Sequence, residues 1–350
     1  MRKFLAFVGA LIGAPLVCLL FSTLAIHFGD NAFLADKLLD AKAWYSVAEL
    51  TNPFNQQLPN RLLAINVNIE ERFNPNEEAT DGPKNLAQSN SSTHVLGITS
   101  CVPVLMYHYI RVNPWPTDTV GAGLSTPPYM FAQELDYLQS KGYETITLSD
   151  LKSNIELYKA IEIRKKNPEY KLPRVKLLPT KPLIITLDDG YKDAYTQALP
   201  LLREHGMNAV EFVITGFVGL PNYLDWDDIK TMDKSGIFDI ESHTVHHYAL
   251  GGTYWDPSVV NYELRQSKKD LESHLGKIVE WFAYPYGSVN DFSAHSASKV
   301  YYAAFGTNLG AYQSTEEEYT LPRIRIGGGD NGQSVDEKIQ DALTHANCVH

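Results

Sequence analysis

At 350 residues and 44% hydrophobic, the chain can bury a sizeable core, and one α/β domain of about 200–250 residues is ordinary for such a length. With a formal net charge of −11, nothing suggests nucleic-acid binding, which wants a basic stripe. The acidity names no partner; it gives a solvated surface that favours a neutral or cationic ligand over a polyanion.

Met1-Arg2-Lys3 precedes an apolar run from Phe4 to about Phe28 that carries no charge before His27. About 20 apolar residues span a bilayer as a helix. The best cleavage site, Thr23-Leu24-Ala25, lacks the small-x-small pattern of a cleaved signal, and Arg2 with Lys3 favours a cytoplasmic N-terminus. Residues 1–29 are therefore expected to be an uncleaved signal anchor in the cell membrane, with the remainder exported. Pro15 is tolerable in a membrane helix. Residues 30–70 carry some helical periodicity and 74–93 are rich in Asn, Glu, Pro, Gly and Ser, so 30–100 is expected to form a stalk and linker ahead of a domain over 101–345. Cys101 and Cys348 bracket that domain and could pair in an oxidising compartment. Without evidence of proximity they are read as two isolated thiols.

From residue 103 apolar strands alternate with helices. Pro103–Tyr107 reads as a buried strand, and Phe131, Leu135 and Leu138 mark a helix over 129–141 stopped by Gly142. The basic stretch 152–181 reads as a solvated helix and loop. Strand Leu183–Leu187 precedes a helix over 193–205, strand Val210–Ile214, a helix over 227–235 and strand Phe238–Glu241. A helix over 259–275 follows, then strands at Trp281–Tyr284, 302–306 and 323–326, and Ser334 with Glu337 suggests a capping box for the last helix. This alternation argues for parallel strands with right-handed crossovers, as an open sheet or a barrel, with chemistry at the strands' carboxyl ends.

At those ends stand His108, Asp188, Asp189, the segment His243-Thr244-Val245-His246-His247, and Pro285-Tyr286. Adjacent aspartates on a strand point to opposite faces, but at a strand's end before Gly190 the backbone can turn both into one pocket. His243 and His247, four apart, could share a face of a helical turn and grip one ion with Asp189. Asp188 then remains free for proton transfer. Two imidazoles and a carboxylate suit zinc, and also cobalt, nickel or iron. Thr244 would shape the loop by local hydrogen bonding, and His246 would be a spacer. Tyr254 and Trp255, in a loop beside Gly251-Gly252 near the same rim, are candidate stacking aromatics.

Residues 102–330 resemble the polysaccharide deacetylase family (the NodB homology domain, carbohydrate esterase family four). Leu187-Asp188-Asp189-Gly190, His243-Thr244-x-x-His247 and Phe282-Ala283-Tyr284-Pro285-Tyr286-Gly287 are similar to its first three motifs. Val104-Leu105-Met106-Tyr107-His108 and Leu321-Pro322-Arg323-Ile324 resemble the branch that acts on poly-N-acetylglucosamine. The resemblance implies a distorted (β/α) barrel with fewer than eight repeats. It implies a divalent metal on Asp189, His243 and His247, Asp188 as base, and the Tyr286 N–H at the oxyanion, with Pro285 among the substrate contacts. Two departures stand out. Ala283 replaces the arginine that usually orients the base, so Arg323 is expected to supply that guanidinium. No histidine stands near Leu321 as general acid, which leaves His108 or His246. The expected activity is removal of N-acetyl groups from an extracellular N-acetylglucosamine-type polysaccharide. Two alternatives are an O-acetyl esterase on xylan or another decorated glycan, and a glycan-binding protein with a decayed site.

Overall fold

In the computed structural model the described residues are 101–348, apart from 116, 177, 253–255, 314–316 and 347. The expected anchor (1–29) and stalk (30–100) lie outside them. Among the described residues no helix is long and apolar enough to cross a membrane.

The frame is a sheet of parallel strands: β1 (Val104–Tyr107), β2 (Glu144–Thr145), β3 (Pro182–Asp189), β4 (Ala209–Val213), β5 (Phe238–Ser242), β6 (Trp281–Ala283), β7 (Ala303–Phe305) and β8 (Ile324–Arg325). They pair in the order β7-β6-β5-β4-β3-β1-β8, with β2 beside the start of β3. The strands read as apolar runs because both faces are covered. Val104, Ile184, Val210, Phe212, Ala283 and Phe305 pack into an inner cluster, while Leu105, Tyr107, Leu183, Ile185 and Leu187 pack outward among the helices.

The sheet curls as a distorted (β/α) barrel does, and its two edges approach through one short stretch of chain. Leu321 pairs in parallel with Phe305 of β7, and Ile324 and Arg325 pair with β1. Arg323 lies between these two pairings, fully buried.

Helices α1 (Thr119–Leu124), α2 (Pro128–Ser140), α3 (Leu148–Lys166), α4 (Leu199–Glu204), α5 (Trp226–Lys234), α6 (Pro257–Leu275), α7 (Asp291–Ala297) and α8 (Gly332–His345) fill the connections. Helix α3, opened by a Thr147–Asp150 capping box, corrects the expectation of a wholly solvated basic segment. Its Leu148, Leu151 and Ile155 join the inner cluster. Its polar side chains bind residues just ahead of the barrel strands: Lys152 to Glu280 at 2.6 Å, and Glu156 to the Tyr302 hydroxyl at 2.6 Å. The helix therefore closes the end of the barrel opposite the strands' carboxyl termini.

Three other expectations change. The helix expected over 193–205 begins as a π-helical turn, Ala194–Ala198, because the wider turn relieves the clash of the Pro200 ring with the preceding turn. The last helix is capped by Asn331 and Ser334 rather than Ser334 and Glu337, so it starts earlier. Cys101 and Cys348 are not isolated thiols: their Cα atoms stand 5.8 Å apart and a disulfide joins them.

Candidate active site

At the end of β3 the two aspartates part company. Asp188 points inward, as Ile184 and Thr186 do. Asp189 adopts a left-handed backbone (φ 83°), as does Gly190 (φ 79°), and this swings its side chain round the strand end. Among the described residues five non-glycines have positive φ, and four of them, Asp189, Thr244, His247 and Tyr286, stand here. Such conformations cost about 1–3 kcal/mol each and persist only where the surroundings enforce them, as at functional sites.

Asp188 is buried and held by a guanidinium fork. Arg323 Nη1 and Nη2 donate to its two carboxylate oxygens, each at 2.7 Å. The same guanidinium donates from Nε to the Gly306 carbonyl at 3.0 Å and from Nη1 to Thr186 Oγ1 at 3.1 Å. Burial alone would raise the Asp188 pKa, but Arg323 and then His243 outweigh it and hold the carboxyl below its ordinary value. The arginine missing at Ala283 is thus matched in space by one from the closing stretch of the barrel.

Asp189 faces the two imidazoles. Its Oδ1 lies 3.2 Å from His247 Nε2 and 3.4 Å from His243 Nε2. Neither carboxylate oxygen has a hydrogen-bond partner, although the residue is buried. His243 Nδ1 stands 2.7 Å from the Ala283 carbonyl, which can only accept, so that nitrogen carries the proton and Nε2 offers its lone pair to the pocket. One ligand atom from each of Asp189, His243 and His247 falls within 4.8 Å of the others. Bonds of about 2.1 Å to a tetrahedral zinc would put such atoms about 3.4 Å apart, so the donors fit a divalent ion.

The two histidines do not share a helical turn. His243 follows β5 directly, and the loop is folded by left-handed backbone at Thr244 (φ 68°) and His247 (φ 59°). Thr244 Oγ1 accepts from the His247 N–H at 2.9 Å, the local bond expected of it. His246 is turned towards α6, where its Nδ1 stands 2.6 Å from Glu263 Oε1. His108, just past β1, lies in the field of both aspartates. Burial pushes its pKa down to about 4, with Asp189 and Asp188 pulling the other way. Pro285 and Tyr286 form a tight turn after β6, and the Tyr286 ring centroid is 4.6 Å from that of His247. Tyr254 and Trp255 lie outside the described residues.

Sequence reasoning missed two buried glutamates. Glu211, midway along β4, accepts from the Gly190 N–H at 3.0 Å, and burial raises its pKa well above the ordinary value. Glu263, on α6, accepts from the N–H groups of Val245 and His246. Each is an acid set among apolar neighbours, Ala-Val-Glu-Phe-Val in the strand and Val260 with Leu264 on the helix, and that is the signal that could have found them.

The family model for polysaccharide deacetylase matches residues 176–305. A Bacillus subtilis protein named as a polysaccharide deacetylase, YxkH, is 30% identical over 240 residues, covering 68% of this chain and 76% of its own length. The chain belongs to the polysaccharide deacetylase family. Within these NodB-type esterases, the poly-β-1,6-N-acetyl-D-glucosamine N-deacetylase of Staphylococcus aureus is 28% identical over 160 residues, covering 42% of this chain and 55% of that protein. The Streptococcus pyogenes deacetylase PplD, solved in complex with acetate, is 28% identical with a TM-score of 0.56, covering 68% of this chain and 97% of that one. Such relatives indicate a hydrolase with polysaccharide deacetylase activity.

Proposed function

We propose that this deacetylase hydrolyses N-acetyl groups on an extracellular polysaccharide of N-acetylglucosamine type, with a divalent metal, most simply zinc, on Asp189, His243 and His247. The observation that carries the reading is the division of labour between neighbours: Asp189 faces two imidazoles while Asp188 is held by Arg323. When bound, the ion would supply Lewis acidity for the acetyl carbonyl and acidify a water.

The chain's own groups do the rest. Asp188, kept ionised by Arg323, takes the proton of the attacking water. The Tyr286 N–H donates to the developing oxyanion, an interaction worth about 3 kcal/mol in such sites. The leaving amine needs a proton, and His108 is the group to relay it, since it feels both aspartates while His246 is engaged by Glu263. Pro285 lines the approach, and Tyr254 with Trp255 would stack on the sugar. The decayed-site alternative rested on the missing arginine and the missing general acid, and it loses the first of these because Arg323 stands at Asp188.

An extracytoplasmic place, held by the apolar segment over 1–29, is favoured by Arg2 and Lys3 and by the Cys101–Cys348 disulfide, which belongs in an oxidising compartment. The test is acetate release by the full chain in detergent from chitooligosaccharides, poly-β-1,6-N-acetylglucosamine and O-acetylated xylan. Release from an N-acetylated glycan, abolished by chelator and restored by zinc, is expected. Release from xylan alone would move the assignment to an O-acetyl esterase.

A further inference from the structure

The loop carrying both histidines is folded by two left-handed residues, neither a glycine, so something outside it must hold it in shape. Part of the work falls to backbone on the neighbouring turn after β4. The N–H groups of Thr215 and Gly216 donate to the carbonyls of Thr244 and Val245 at 3.1 and 2.9 Å. A Cβ on Gly216 would come within 2.4 Å of the Val245 carbonyl oxygen, so this approach requires glycine. These bonds engage the loop's carbonyls and leave its N–H groups to be satisfied from elsewhere.

Successive backbone N–H groups in a turn of this kind make a concavity for an anion. A carboxylate from α6 fills it. Glu263 Oε2 accepts from Val245 N–H at 2.9 Å and His246 N–H at 2.8 Å, while Oε1 meets His246 Nδ1 at 2.6 Å. The glutamate is fully buried. Val245 and His246 lie between the two proposed metal ligands, so Glu263 grips the middle of the loop whose ends are His243 and His247.

We infer that Glu263 is a positioning residue for the metal site: it sets the spacing of His243 and His247 by pinning the backbone between them, and its second oxygen holds the His246 ring out of the pocket. The inference rests on the metal-site reading above. Partners at this remove from a metal commonly change its affinity by about 10- to 100-fold when lost.

Cobalt(II) is the probe, because its visible absorption reports ligand geometry independently of turnover. The full chain, Glu263→Ala, Glu263→Gln and Glu263→Asp would be titrated with Co²⁺, with circular dichroism confirming the fold. Glu263→Ala is expected to bind about 10- to 100-fold more weakly with an altered visible spectrum. Glu263→Gln should recover most of the affinity, because its carbonyl can accept both N–H groups and its amide can donate to a neutral His246. If Glu263→Ala does not fold, Glu263→Asp, one methylene short of the loop, carries the test. Native affinity and spectrum in whichever of these two variants folds would overturn the inference. A native protein that binds no Co²⁺ would instead overturn the metal-site reading. Arg323→Ala, which leaves the three ligands in place, should keep its Co²⁺ spectrum and so separates the two roles.

Discussion

Arg323 closes on Asp188 with two hydrogen bonds of 2.7 Å across 135 residues of sequence, from a stretch of chain that also joins the edges of the barrel. One residue thus links fold closure to the state of the candidate base. A planar, always-charged fork suits both tasks. It fixes the carboxylate's orientation and offsets the penalty of burying its charge.

Arg323→Ala should therefore lower acetate release by about 10²–10⁴-fold. Breaking a buried pair also costs about 3–5 kcal/mol, measurable by urea titration. With Arg323 gone, burial raises the Asp188 pKa, so the acid limb of the rate profile should move to higher pH. Arg323→Lys, with a point charge in place of the fork, should fall between the two. An unmoved acid limb in a folded Arg323→Ala protein would disconnect the arginine from the base.

Removing the ion should act on stability as well as rate. Asp189 is a buried carboxylate with no hydrogen-bond partner on either oxygen. A divalent ion at about 1,000 times its dissociation constant should stabilise the fold by about 4 kcal/mol. Scanning calorimetry with and without chelator should show that difference in the native protein and not in Asp189→Ala. Equal melting of native protein with and without chelator, given bound metal by elemental analysis, would place the ion elsewhere.

Much of this was legible in the residues. Strands buried on both faces read as apolar runs, so β1 and β3 to β7 are legible in the sequence, whereas β2, two residues long and without an apolar side chain, is not. Asp188, Asp189, His243 and His247 follow from the chemistry that such neighbours offer. The need for a guanidinium at Asp188 points to Arg323 once Ala283 is seen to lack one. The loop between the histidines is not legible, because a four-residue spacing suggests a helical turn and no glycine marks the left-handed Thr244 and His247. Helix α3 hides behind its own lysines and glutamates, since their partners, Glu280 and Tyr302, are over a hundred residues away. Cys101 and Cys348, separated by 247 residues, meet only because the barrel brings its ends together.

That disulfide should contribute strongly to stability, because it closes nearly the whole domain into one loop. Chain entropy alone gives about 5 kcal/mol for a loop of this length, less any structure retained when unfolded. Cys348→Ser, or reduction under native conditions, should lower the melting temperature by roughly 10 °C or more. The site's geometry lies at the opposite end of the strands, so kcat below the melting point should be little changed. An unchanged melting temperature with the bond verified as broken would show that the termini are held by packing alone.

His108 offers a pH test with a defined sign. Its folded pKa of about 4 lies below the ordinary histidine value of about 6.5, so the unfolded chain binds the extra proton first as the solution is acidified. The neutral imidazole's contribution is present above pH 6.5 and is lost as pH falls towards 4. Between pH 7 and 5 this one group should remove about 2 kcal/mol of stability. His108→Gln, which cannot titrate, should lose less over the same interval, and urea melts of both proteins at pH 7 and 5 measure the difference. The same variant should also slow acetate release by about 10²-fold or more if the imidazole relays the amine's proton. A normal rate together with the altered pH dependence of stability would leave His108 a half-buried packing residue and return the question of the general acid to the rest of the rim.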